Sequence, residues 1–153
     1  MLDHQKINAK CGTNYTAAQV SKAIDCPVSI KGIADRIMTD HAGSIRFDTM
    51  HKAFFIYAHG EWRKIEDIVI RSLIRSEIDN LQKEIRILTN AQIAGILPNF
   101  DPTPSIKKIL TFQQNADDAL RNKIFEALRI RSASMRVRGV SNEISDQVYD
   151  ATR

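Results

Sequence analysis

Cysteine, glycine and proline are all scarce, at 2, 6 and 4 of 153 residues. Two cysteines, Cys11 and Cys26, are too few for a disulfide scaffold and point to a cytoplasmic, reducing setting. The six glycines are scattered singly, so neither GxxxxGK[ST] nor GxGxxG occurs. That excludes ATP hydrolysis by the usual Walker route. A GxSxG nucleophile elbow is missing as well. Apolar runs such as AFFIYA are far too short to cross a bilayer, so no membrane partner is expected. The opening MLDHQKINAK is polar and predicts no secretory signal.

What is present suits a folded domain: 43% hydrophobic and 26% charged residues, in a length that can bury a real core. The formal net charge is +4, with an isoelectric point near 9.2. Its distribution matters more than its sum. Residues 61–90 carry six basic and six acidic side chains and cancel. Residues 121–138 carry Arg121, Lys123, Arg129, Arg131, Arg136 and Arg138 against Glu126 alone, a local +5.

Periodicity gives a mainly α fold, a helical bundle with a small antiparallel β-hairpin insert. The first dozen residues lack a period and read as a frayed lead-in. A helix starts near Thr13 and stops before Pro27. Ser29 caps a second, with Ile30, Ile33, Ala34, Ile37 and Met38 on one face, and Gly43 is placed to end it. Ile45 and Phe47 alternate with polar neighbours, DTMHK connects, AFFIYA forms a second strand and His59-Gly60 makes the next turn. Then comes the strongest element, Arg63 to Leu88, with an apolar stripe of Ile65, Ile68, Val69, Leu73, Ile74, Ile78, Leu81, Ile85 and Leu88. Its outer face offers Asp67–Arg71, Arg75–Asp79 and Asp79–Lys83 as ion pairs one turn apart. Its near-heptad drift admits oligomerisation, although a bundle core is the commoner use of such a stripe.

Thr89 is expected to cap a short helix through Leu97. PNFDPTP reads as a linker, dividing residues 1–97 from a basic C-terminal subdomain at 105–153, with 98–104 between; one compact domain is the alternative. Thr103 and Asn115 are expected to cap two further helices, RSASMRVRG to form a basic connection, and SNEISDQVY to close the chain as a helix.

Four histidines match no zinc spacing, and His51 and His59 fall in expected turns, where solvated histidines are common. Asp35, Asp40 and Asp48 read as solvated helix and turn residues. No catalytic residue, metal site or cofactor is expected. The basic run is the best functional candidate. Cations favour a helix C-terminus, which accounts for Arg129 and Arg131 but poorly for Arg136 and Arg138. A phosphate-tracking surface accounts for all six cations in the run, and Lys107 and Lys108 would join it if the two halves pack face to face. Trp62, between Glu61 and Arg63, is the ambiguous aromatic: core packing or a platform for a stacked base.

A helix, IRFD, a turn, FFIYAHGEW and then a long amphipathic helix together resemble a known pattern. It is the helical region preceding the superfamily-3 helicase in phage, plasmid and poxvirus primase-helicases. The matching residues are Ile33, Ala34, Phe47, Tyr57, Gly60, Trp62, Ile65 and Ile68, and the likeness spans about Ile30 to Leu88. The resemblance implies a template-handling domain of a mobile-element replication protein, related to the helix bundle of plasmid primase-polymerases. Its implied partners are single-stranded DNA, a nucleotide, and polymerase or helicase domains of the same protein. The expected function is therefore a non-catalytic, single-stranded nucleic-acid-binding accessory domain contacting the backbone through its basic C-terminal surface. The alternative is a protein–protein interaction or oligomerisation module using the long helix.

Overall fold

The computed structural model describes residues 2–41, 43–96 and 99–134. Among them are helices α1 (Asp3–Cys11), α2 (Ala17–Asp25) and α3 (Ile30–Asp40), then strands β1 (Ile45–Asp48), β2 (Ala53–Ala58) and β3 (Glu61–Ile65). Helices α4 (Asp67–Ile93), α5 (Thr103–Gln114) and α6 (Asp118–Ser134) follow. The fold is mainly α with one small antiparallel sheet, as the periodicity indicated.

Local chemistry explains most boundaries. The Thr16 hydroxyl accepts from the Gln19 amide at 3.1 Å and the Gln19 side chain accepts from Thr16 N at 2.8 Å, a reciprocal cap that starts α2. Ser29 caps α3 through Gly32 N at 3.0 Å. The cap of α6 is Asp117, which accepts from Leu120 N at 2.8 Å, rather than Asn115. The expected Thr89 cap does not form; its hydroxyl donates back to Ile85 O at 2.9 Å, and α4 runs on unbroken for 27 residues. The opening segment also departs from expectation. It is helix α1, held by a single buried side chain, Ile7, and ended by Gly12 at φ 66°. One inward residue makes no period to read.

The sheet has three strands in the order β1-β2-β3. His59 and Gly60 both take positive φ, 53° and 82°, between the paired residues Ala58 and Glu61. That is the backbone of a tight two-residue hairpin turn. It returns the chain as β3, so Trp62 pairs with Tyr57 inside the sheet and the long helix begins only at Asp67. Phe47 and Phe54 face the main core, while Phe55, Ala53 and Trp62 form a second small cluster.

Helix α4 is the axis of the bundle and touches each of the five other described helices. Its buried stripe is Ile70, Ile74, Ile78, Leu81, Ile87, Leu88 and Ala91. Burying each large aliphatic side chain stabilises by about 1.5–3 kcal/mol. Ile68 and Val69, expected inside, are 75% and 44% exposed, because they stand in the first turn of α4 off the face that carries Ile70, Ile74 and Leu81. Ile109, Ile124, Phe125 and Leu128, beyond the proline-rich segment, share one core with residues of α1–α4.

Two glutamates lie within the buried stripe. Glu84 receives a bidentate pair from Arg36, both contacts at 2.9 Å, and Arg36 also donates to Pro27 O at 2.6 Å and Cys26 O at 3.0 Å. The approach is tight: a Cβ on Gly32 would sit 1.7 Å from Pro27 O. Glu77 lies 3.4 Å from Lys22 Nζ, which also holds Asp40 at 2.8 Å. Burial pushes the Glu77 carboxyl up to about 7, against the pull of Lys22 and with the help of nearby Asp40. The lysine's shorter contact is to Asp40.

Candidate nucleic-acid interface

The C-terminal arginines are less available than their sequence suggests. Arg121 pairs with Asp118 and donates to Ala116 O at 2.8 Å. Arg129 pairs with Glu126 at 3.1 Å and lies over the Phe47 ring at 5.2 Å. Arg131 reaches Asp35 at 3.0 Å and ties α6 to α3. Lys123 is exposed. Lys107 and Lys108 on α5 line a separate cleft with Val28, Phe112 and Leu120, which shares no residue with the arginine cleft described next. Arg136 and Arg138 lie outside the described residues, as does the expected closing helix SNEISDQVY.

Trp62 corrects a second expectation. It sits at mid-strand rather than at a helix start, is only 7% exposed, and packs edge-on against Tyr57. Its ring cannot receive a base without opening the sheet. Tyr57, 46% exposed, is the accessible ring of that pair.

The cations that converge belong mostly to α4. Arg71 and Arg75, one turn apart, face Arg121 across a cleft of about 530 Å³, lined also by Ile68, Ser72, Asp118 and Asn122. Arg71 donates to the Asn122 side chain and lies 4.4 Å above the Phe125 ring. Both contacts fix the guanidinium without neutralising it. None of the expected pairs Asp67–Arg71, Arg75–Asp79 and Asp79–Lys83 reaches ion-pair distance among the described residues. Three guanidiniums therefore face the cleft against one carboxylate, Asp118, whose side chain is 92% exposed.

Beneath the cleft the support is aromatic. Phe125 packs edge-to-face on Phe54, and Phe54 on Phe47, at centroid separations of 5.4 and 5.1 Å. Arg71 covers one end of this row and Arg129 the other. The row fixes α6 against the sheet and holds two cations at set positions on the surface.

The carboxylates weighed as chemical candidates have structural partners. Asp35 pairs with Arg131 and Asp40 with Lys22. Asp48, 1% exposed, accepts from Met50 N at 2.9 Å and pairs with His51 in the β1–β2 turn. Burial pushes the Cys26 thiol up, away from the reactive thiolate form. Among the described residues no helix is long and apolar enough to cross a membrane.

Sequence reasoning missed Arg71 and Arg75 by assigning them to surface ion pairs. A signal existed: Glu77 and Glu84 fall in phase with Ile70, Ile74 and Leu81, which turns both acids inward and leaves the cations outside. No family model, curated protein or solved structure matches this chain.

Proposed function

We propose that this chain is a non-catalytic, single-stranded nucleic-acid-binding accessory domain that grips strand phosphates at the α4–α6 cleft. The carrying observation is the convergence of Arg71, Arg75 and Arg121 on one concave surface, with Arg71 and Arg75 free of carboxylate partners among the described residues. Guanidiniums offer paired donors to phosphate oxygens, and a fixed fork loses less entropy on binding than a mobile one. Arg129, two turns along the same face of α6 as Arg121, adds a cation paired with exposed Glu126, whereas Lys123 lies on another face of the helix. The likeness to the region preceding helicase domains supports a place in a mobile-element replication protein, beside polymerase or helicase domains. The oligomerisation reading is weaker, because the apolar stripe of α4 is already covered by this chain's own helices.

The test is fluorescence-anisotropy titration of a single-stranded DNA oligomer and a duplex at two salt concentrations. Expected are tighter binding of the single strand, a fall in affinity with salt, and a loss of about tenfold or more in Arg71→Ala/Arg75→Ala/Arg121→Ala. A triple variant that keeps its helical circular dichroism and binds like wild type at low salt would overturn the assignment.

A further inference from the structure

The outer face of α4 continues well beyond the arginine cleft. Ile68, Arg71, Arg75, Asp79, Gln82 and Arg86 follow one another three or four residues apart, and all are exposed. Such spacing lays them in one row along the helix. Clefts follow the same row. Arg75 and Arg121, which line the arginine cleft, also line an adjoining one of about 220 Å³ with Asp79 and Gln113. Gln113 accepts from the Gln82 side chain at 2.9 Å, and Gln82 in turn lines a further cleft of about 420 Å³ with Tyr15, Lys83 and Arg86.

This far cleft has what the first lacks. At the arginine cleft the Phe125 ring is covered by Arg71. Here a half-buried Tyr15 and Ile87 supply flat and apolar walls. The phenol is steadied by Asn90, which donates to it at 3.2 Å, and Asn8 pins the Tyr15 backbone through N at 2.8 Å and O at 2.9 Å. Lys83 and Arg86 stand beside it with no ion pair among the described residues, and no carboxylate lines the cleft. A ring for a base, an amide for its edge and two cations for a phosphate are the groups a nucleotide needs. Helix rise puts Arg71 and Arg86 about 22 Å apart, a span that takes roughly six or seven nucleotides at about 3.4 Å per phosphate of a stacked strand, more than a four-nucleotide oligomer offers.

We propose that the Tyr15–Gln82–Lys83–Arg86 cleft is a second subsite that takes a base and its phosphate from the same single strand gripped at the arginine cleft. Asp79, midway along the row, disfavours a phosphate there, so the backbone is held at the two ends and passes polar Gln113 between them. This rests on the single-strand reading given above.

The experiment compares wild type, Lys83→Ala/Arg86→Ala and Arg71→Ala/Arg75→Ala. Each is titrated with single-stranded DNA of about four and about twelve nucleotides, within the range of common single-strand site sizes. Lys83→Ala/Arg86→Ala should lose about tenfold on the long oligomer, with a shallower salt dependence, and less than twofold on the short one. Arg71→Ala/Arg75→Ala should lose affinity for both. Abasic residues through the long oligomer should weaken wild type but add nothing further to Tyr15→Leu. An unchanged affinity of Lys83→Ala/Arg86→Ala for the long oligomer, or equal losses on both lengths, overturns the second subsite while leaving the arginine cleft standing. If wild type binds neither oligomer, both readings fall.

Discussion

Helices α4 and α6 carry opposite charge patterns in sequence and exchange roles in the fold. By composition, residues 61–90 around α4 are neutral and residues 121–138 around α6 are strongly basic. In three dimensions α4 turns Glu77 and Glu84 inward, onto Lys22 and Arg36, and leaves Arg71, Arg75, Lys83 and Arg86 outside. Helix α6 does the reverse: Arg121, Arg129 and Arg131 each meet a carboxylate. The potential a ligand meets is set by which charges stay uncompensated at the surface, and a count along the chain cannot tell these apart.

The largest effect tests the inward half of α4. Glu84→Ala leaves Arg36 buried with its charge uncompensated, and should cost about 3–5 kcal/mol of unfolding free energy in urea titration. A loss below about 1 kcal/mol would show that this pair does not fix α4 against α3.

Glu77 gives a pH-dependent version of the same test. Its folded value of about 7 lies above its ordinary value of 4.5, so the folded state binds the extra proton between them. The stability this contributes is fully present below pH 4.5 and is lost as pH rises through 7. Lys22, raised from 10.5 by Asp40 and Glu77 against its own desolvation, acts only in the alkaline range. Glu77→Gln mimics the protonated form, and should stabilise the protein at pH 8 by on the order of 1–3 kcal/mol while changing little at pH 5. Equal effects at both pH values would remove the titration of Glu77 as the cause.

Outside, the comparison becomes one of binding. Arg71→Ala/Arg75→Ala should lower single-stranded DNA affinity about ten- to a hundredfold and flatten the log–log salt slope by about 1.4, roughly 0.7 for each phosphate contact on a single strand. Arg129→Ala/Arg131→Ala should lose less, since both arginines are already paired. The opposite ranking in anisotropy titrations would return the interface to α6.

The smallest effect unpairs α6. Asp118→Asn/Glu126→Gln frees Arg121 and Arg129 from exposed pairs, so stability should change by under about 1 kcal/mol. Binding should improve a few-fold. No improvement would mean that Arg121 and Arg129 do not reach the strand.

Fold class, the caps at Ser29 and the turn at His59-Gly60 were legible because each rests on neighbours in sequence. Strand β3 was not, because EWRKI reads equally as a helix start, and its pairing with β2 is what makes it a strand. The same slip placed Trp62 at a junction instead of in the sheet, and apolar character alone put Ile68 inside although it lies off the Ile70–Ile74–Leu81 face. Of the candidate interface, Arg121 was named from sequence, while Arg71 and Arg75 were hidden behind ion pairs that do not form.

By itself the sequence determined the mainly helical class, the cap that starts α3 and several apolar faces, and that no Walker loop is present, since these depend on local spacing and side-chain type; α1, with one inward residue, was not among them. Tertiary structure decided which charges matter. A salt bridge between α3 and α4, or between α3 and α6, joins residues far apart in the chain. That packing compensates Arg36 and Arg131, whereas Arg121 and Arg129 find Asp118 and Glu126 one turn away in their own helix, and Arg71 and Arg75 remain to meet a phosphate.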